Sequence, residues 1–480
     1  MRCVPSLLAV LIGAAGCHSI YPFDRPSSVD AAGSGSDLAR IDGSADAGPR
    51  DAAPDAAQPD LAAPDSAWPD AALPDSGPSW DQGGKVCTNL VVGGTAIQVS
   101  AASDVLSGGE PSIAAIGDTF YVAFVEAGGL YVRELDVTAA TTTATPKVSA
   151  KLNTAAASAP WITRKGNASK LGLVWHEKTA ASSCSSNARF TEVVSNTTTI
   201  VALPSCLLNT SYPYHGYGPP SLAYGSQWAF VSPVEYSGSA CGTHTKIKYH
   251  GFSSCTAFSS GNDGAPVDTI STYFPVIAAT GNSANAYLLI RLYDKDYSGS
   301  PTQLAVRVEI SGSSVSSWSS LPSFPTTELA AVDRPALVVS DGGAWLAWTT
   351  LSNQIRLQRY DATSLKPAAP MAGYARHPAL AHKPQVGTDP TSARAVLAFA
   401  ETTASGAGTS AVRLATLGSA APQVAGALVV AGSSSVSATV AFNPRQVVVA
   451  AGTNGFGVAW TEQVTANQSE VFFRWVGCQP

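Results

Sequence analysis

The sequence predicts an all-β fold, and three observations lead there. An aromatic or apolar anchor recurs along the chain at Phe124, Trp175, Phe230, Leu289, Trp348, Phe399 and Trp460, at spacings of 51, 55, 59, 59, 51 and 61 residues. Each anchor follows a Pro-led apolar run, opening at Pro111, Pro160, Pro220, Pro275, Pro335, Pro378 and Pro444. The segments inside each repeat are short, rich in Val, Ile and aromatics, and separated by Gly, Ser, Asn and Asp, which is the pattern of strands and turns rather than of crossover helices. A further observation concerns the ends. The last repeat stops at 471–476 without a fourth strand, while 95–100 (TAIQVS) precedes the first repeat and has no unit of its own. Four-stranded sheets repeated at this period and closed end to end make a β-propeller. The prediction is a seven-bladed β-propeller of four-stranded antiparallel blades over 85–480, closed by the N-terminal strand 95–100.

Composition supports it. The chain has 480 residues, with 42 Gly, 32 Pro, 45% hydrophobic and only 13% charged residues, so it can bury a large core but lacks the charged residues of long amphipathic helices. Fourth strands are expected near 145–150, 199–203, 313–318 and 422–430. The third strands each bring one basic residue, Arg133, Arg189, Lys248, Arg307, Arg356, Arg413 and Arg474. Glu126, Glu177, Glu401 and Glu462 lie two residues past the anchor. Features shared by so many repeats read as architecture: the basic groups pair with a neighbouring carboxylate, and the aromatic anchors pack blade on blade.

The N-terminus reads as targeting. Arg2 gives a positive start, 4–15 is apolar but too short to span a bilayer, and Ala14-Ala15-Gly16-Cys17 closes the segment. This run resembles the lipobox of bacterial lipoproteins, with Ala14 where Leu is usual. The resemblance implies a signal peptide at 1–16, lipidation of Cys17, export, and attachment to an outer membrane or cell surface through lipid alone; a periplasmic or secreted protein is the alternative. Residues 17–84 are Pro-, Asp- and Ala-rich, with Pro-Asp recurring every five residues from Pro54 to Asp75. Such a segment cannot bury a core and is expected to be a disordered, extended spacer. It holds the chain's acidity: 18–81 carries −9, against +2 for 82–480 and −6 overall. A near-neutral body offers nothing to nucleic acid.

Of eight Cys, Cys3 and Cys17 belong to the signal and its processing site, leaving Cys87, Cys184, Cys206, Cys241, Cys255 and Cys478. An even number in an exported chain reads as disulfides rather than a metal site, since no C-x-x-C pair occurs. Cys87 with Cys478 would lock the closure. Cys184 is paired with Cys206 because both are expected at one face of the second blade, which leaves Cys241 with Cys255.

Function is sought where the repeat breaks. The connection Tyr212-Pro213-Tyr214-His215-Gly216-Tyr217 puts three Tyr and a His on one loop, and Tyr212, Tyr214, His215 and Tyr217 are the candidate ligand-binding residues, with aromatic faces suited to sugar rings or a peptide. His244 and His250 lie too far apart on one strand to share a metal. His377 and His382 are expected at the surface. Neither catalytic residues nor metal ligands nor a cofactor are indicated. Arg334-Pro335 resembles the Arg-x-Pro element of sialidases, but the Asp box is absent and no carboxylate pair is evident. As a whole the chain resembles bacterial lipoproteins with a Pro/Asp/Ala-rich tether and a divergent seven-bladed propeller. Its motifs are degenerate and no family activity carries over; the expectation is a monomeric, non-enzymatic surface module recognising a glycan, peptide or protein partner, with a sialidase-like glycoside hydrolase or lyase as the alternative.

Overall fold

The computed structural model describes residues 89–479 apart from 101–110, 138–146, 154, 167, 179–184, 197–198, 209–213, 216–219, 226, 236–244, 256–271, 280–285, 294–302, 311–318, 321–333, 341–342, 362–368, 383–394, 405–408, 418–422, 433–443 and 466–467. Every described residue belongs to one compact unit. The signal and tether expectations, with Cys17 and Cys87, lie outside the described residues.

The described elements are β-strands, and the fold is all-β. Two consecutive antiparallel hairpins make an inner, middle and third strand in each repeat. The first comprises Ser112–Ile116, Thr119–Glu126 and Gly129–Asp136. Four-stranded sheets follow the same plan further on, for example Ala375–His382, Ala395–Thr402, Thr409–Leu417 and Leu428–Gly432. Alternation along the middle strands sends the anchors inward: Trp175, Phe230 and Phe399 are wholly buried, and Phe124, Trp348 and Trp460 nearly so. Burying aromatic rings of this size on both faces of a strand supplies most of the cohesion between sheets.

Successive inner strands touch. Ser112–Ile116 packs on Ala157–Arg164, which packs on Ser221–Tyr224, and the series continues through Thr272–Ala279, Ala336–Ser340, Ala375–His382 and Pro444–Ala451, which returns to Ser112–Ile116. The inner strands therefore surround a common centre. At the chain ends, Ile97 and Gln98 pair antiparallel with Phe473 and Phe472, and a further strand, Asn89–Val92, pairs with 476–479 of the last strand.

Two features depart from the expected plan. The second and third sheets are not separate: the two-residue strand Tyr214–His215 pairs with Ser185 and Ser186 on one side and Val234 on the other, joining them. The expected Cys184–Cys206 and Cys241–Cys255 pairing is also corrected, because Cys206 is bonded to Cys255. Cys206–Leu207 runs beside Phe190 and Arg189 at the outer edge of the second sheet. Phe252, at the end of the third sheet's Thr245–Phe252 strand, packs edge-on to Phe190 with ring centroids 4.9 Å apart. That contact delivers Cys255 to the neighbouring unit, so a pairing reasoned within one repeat misses it. Cys478 is also disulfide-bonded; Cys184 and Cys241 lie outside the described residues.

The basic residues of the third strands fall into distinct registers. Arg189, Arg307, Arg356 and Arg413 stand opposite the anchor. Arg189 thereby meets Glu177, and Arg413 Nε donates to Glu401 at 2.8 Å. Arg133 and Arg474 instead stand opposite Val122 and Val458, two residues before the anchor. From there Arg133 donates to the carbonyls of Gln98, at 2.9 Å, and Val99, while Arg474 donates to those of Val430, at 2.6 Å, and Gly94. The two arginines nearest the chain ends thus both bind the 94–99 segment, and Arg133 is also close enough to Glu126 to be attracted to it.

Candidate functional site

The inner strands leave a cavity of about 310 Å³ at their C-terminal ends. Four strands that are consecutive around the centre line it: Pro444–Ala451, Ser112–Ile116, Ala157–Arg164 and Ala375–His382. Its walls are mostly Ala, Val, Ile, Leu and Gly, with polar groups from Thr163, Arg164, His382 and Thr453. Burial lowers the pKa of the Arg164 guanidinium. No Asp or Glu lines the cavity among the described residues.

Two turns fix its rim. Thr453 N donates to Gly117 O at 3.1 Å, and Asp118 accepts from the Asn454 backbone at 2.7 Å and from its side-chain amide at 2.5 Å, so both oxygens of that carboxylate are occupied. Gly117 has φ +62°, and a Cβ on Gly452 would stand 2.9 Å from Gly117 O; glycine is what lets these two turns approach.

At the other end of the inner strands the centre is crossed. The Arg334 guanidinium stacks on the Trp161 ring at 3.7 Å and donates to Pro220 O at 3.1 Å, while Trp161 Nε1 donates to Leu222 O at 2.9 Å. Trp161 stands just past a bulge, with Ala159 at φ +50° preceding Pro160; the equivalent bulge in the sixth repeat has His377 at φ +55° preceding Pro378. A proline cannot donate to the ladder, and the left-handed residue before it absorbs the register change.

The residues singled out in the sequence are dispersed relative to this cavity. Tyr214 and His215 belong to the strand joining the second and third sheets, by the N-terminal ends of the inner strands, and Tyr212 and Tyr217 lie outside the described residues. His382, expected at the surface, is instead half-buried and lines the cavity, because it ends an inner strand. Arg164 had no motif to mark it. Its signal was positional, being a charged residue at the close of a Pro-led apolar run. Among the described residues no group of three or more His, Cys, Asp or Glu is placed to hold a metal ion.

A second buried group lies outside the cavity. Glu462 is wholly buried; its Oε2 accepts from Trp460 Nε1 at 3.2 Å and its Oε1 has no partner. Glu470 stands directly opposite it on the last strand. Burial, with the like charge of Glu470, pushes the Glu462 carboxyl up to about 7, the Trp460 bond offsetting part of this.

No family model matches the chain, and no curated protein matches it. Solved structures of similar fold include a polysaccharide lyase, Uly1 (7% identity, 82% of this chain and 100% of that one, TM-score 0.45), and the Penicillium chrysogenum alpha-L-arabinanase complexed with arabinobiose (10%, 67% and 98%, 0.44). The Trypanosoma rangeli sialidase in complex with sialic acid is another (7%, 82% and 59%, 0.40). At such identities and TM-scores these neighbours carry no argument about what this chain does.

Proposed function

We propose that 85–480 is a seven-bladed β-propeller, its ring completed by 95–100, exported behind the 17–84 spacer on a lipid at Cys17, and that it engages a saccharide in the ring-centre cavity. The cavity is the observation that carries this reading. Its volume suits one sugar unit, its aliphatic floor suits the C–H faces of a ring, and Thr163 and Thr453 offer hydroxyls to the ring's own. Binding alone is the simpler role.

Cleavage is the second reading, and the cavity's makeup sorts its forms. Hydrolysis with two carboxylates finds no acid on the described walls. Elimination by a lyase needs a cation to neutralise a sugar carboxylate and a base to remove the neighbouring proton, and Arg164 and His382 are side chains of those kinds.

The test is a saccharide array probed with the mature chain, alongside two variants. Ala115→Phe fills the cavity; replacing Tyr212, Tyr214 and Tyr217 by Ala removes the aromatic loop. Binding lost in the first and kept in the second supports the cavity. Binding lost only in the second moves the ligand to the loop and overturns the cavity reading. Incubating each bound polysaccharide with the chain and looking for new reducing ends or unsaturated products separates cleavage from binding.

A further inference from the structure

We propose that Asn454 is a site of covalent modification, losing ammonia through a cyclic imide closed by the Gly455 nitrogen, and that Asp118 is the clamp that restrains it. The proposal stands apart from the saccharide reading above.

Sequence and fold place the reactive pair together. Asn454 is the one asparagine of the chain that precedes a glycine, so no side chain at the next residue hinders the approach of its backbone nitrogen to the carboxamide carbon. The fold requires that glycine, because a Cβ on Gly455 would run into Val476 O and Trp475 Nε1. In the reaction the Gly455 nitrogen attacks Cγ of Asn454; the new C–N bond closes a five-membered imide, the Cγ–Nδ2 bond breaks, and ammonia leaves with the proton given up by Gly455. Water then opens the imide at either carbonyl. One opening leaves aspartate at this position, and the other leaves isoaspartate, with the main chain routed through the side-chain carbon.

Asp118 opposes that attack. Its carboxylate accepts from the Asn454 backbone N–H at 2.7 Å and from Nδ2 at 2.5 Å, which turns the amide toward the nitrogen of its own residue and away from that of Gly455. Asn454 O accepts from Cys478 N at 2.8 Å, so the peptide unit that would have to rotate is held as well. Asp118 is buried and Asn454 half-buried, and bonds to a charged acceptor are the stronger for being shielded from water.

Conversion reverses the sign of the contact. The product carboxylate has no hydrogen to give, and it faces the carboxylate of Asp118 across hydrogen-bond distance. This is the turn that ties the last repeat to the first through Thr453 N and Gly117 O, and Gly452 and Thr453 also line the ring-centre cavity. The modification therefore loosens the first-to-last seam and the cavity rim together. Asn153 supplies the contrast: its side chain is bonded to Leu130 N and Gly128 O, both at 2.7 Å, but the next residue in sequence is threonine, whose branched side chain hinders the same attack.

The experiment holds the mature full-length chain folded at mildly alkaline pH and follows the peptides containing Asn454 and Asn153 by mass spectrometry, with enzymatic methylation of isoaspartate as a second readout. Wild type is expected to convert slowly at Asn454 and not measurably at Asn153. Asp118→Ala should convert at Asn454 about tenfold or more faster, the scale of a lost charge-assisted hydrogen bond, with Asn153 unchanged. Asp118→Asn, which keeps the shape and one acceptor oxygen, should fall between them, and it carries the test if the melting curve shows that Asp118→Ala does not fold. Asn454→Asp, the product itself, should lower the melting temperature, and Asp118→Asn combined with it should recover part of the loss by again setting a donor against a carboxylate. Conversion at Asn454 no faster than at Asn153 in the Asp118 variants overturns the site. Equal rates in wild type and in folded Asp118 variants overturn the clamp. A melting temperature for Asn454→Asp equal to that of wild type overturns the loosened seam.

Discussion

Replacing Glu462 by Gln should stabilise the protein, and only at neutral and alkaline pH. The carboxyl has an ordinary value of 4.5 and is pushed to about 7 in the fold, chiefly by burial. Below pH 4.5 it is protonated both folded and unfolded, so it contributes no difference. Between about 4.5 and 7 the unfolded chain gives up this proton while the folded chain keeps it, so stability falls as pH rises. Above 7 the loss is complete, at about 3 kcal/mol. Gln keeps an oxygen for Trp460 Nε1 and cannot ionise. The variant should therefore match wild type near pH 4.5 and exceed it by up to about 3 kcal/mol at pH 8. Glu470, facing it, is also raised by burial, and because its charge acts on Glu462 the difference between the two proteins reports Glu462 together with that coupling. Guanidinium denaturation of both at the two pH values measures this. Equal pH slopes for the two proteins would refute the reasoning. Glu177→Gln is the control, occupying the same place in the second repeat but bonded to Arg189; it should lose about 1–3 kcal/mol at pH 8.

Two further predictions concern the seams between units. Gly457→Ala would place a Cβ 2.4 Å from the Phe120 ring and 2.7 Å from Phe473, two rings packed with centroids 5.5 Å apart, so a drop of about 1–3 kcal/mol is expected, read as a lowered melting temperature; an unchanged melt would mean that the rings have room to move. Peptide mapping without reduction should recover Cys206 linked to Cys255, and Cys255→Ser should cost up to about 4 kcal/mol for a bond closing a 49-residue separation, whereas a Cys206–Cys184 peptide would contradict the observed edge contact.

What was legible in the sequence was what alternates and recurs. Trp175, Phe230, Phe399 and Trp460 are buried because a period of two sends them inward, and the same arithmetic put Glu177 and Glu401 within reach of Arg189 and Arg413. What was not legible depended on register between strands or on contacts between units. Cys255 reaches Cys206 through the Phe252–Phe190 contact, which no single repeat contains. Arg133 and Arg474 looked equivalent to the others in sequence, and only pairing reveals that they sit two residues early. His382 and Arg164 became cavity residues because their strands surround a centre, and a strand taken alone has no centre.

The displaced arginines and the strained carboxylate have one origin. A shift of two residues keeps a side chain on the same face of its strand, so Arg474 still points the same way as Arg413 does in the previous repeat, but reaches different partners. In the sixth repeat the residue opposite the anchor Phe399 is Arg413, and Glu401 is neutralised. In the last repeat the residue opposite Trp460 is Phe472, which stacks on it at 5.9 Å, and the residue opposite Glu462 is another acid. Phe472 is also the residue that pairs with Gln98. The last repeat therefore gives its anchor-facing position to an aromatic that serves the 97–98 strand, and moves its arginine to the carbonyls of Gly94 and Val430. Glu462 is left without a cation as a consequence. On this account the instability at Glu462 is tied to how the chain ends are held, and a variant with Arg in place of Phe472 should relieve the carboxylate only by loosening the 94–99 segment.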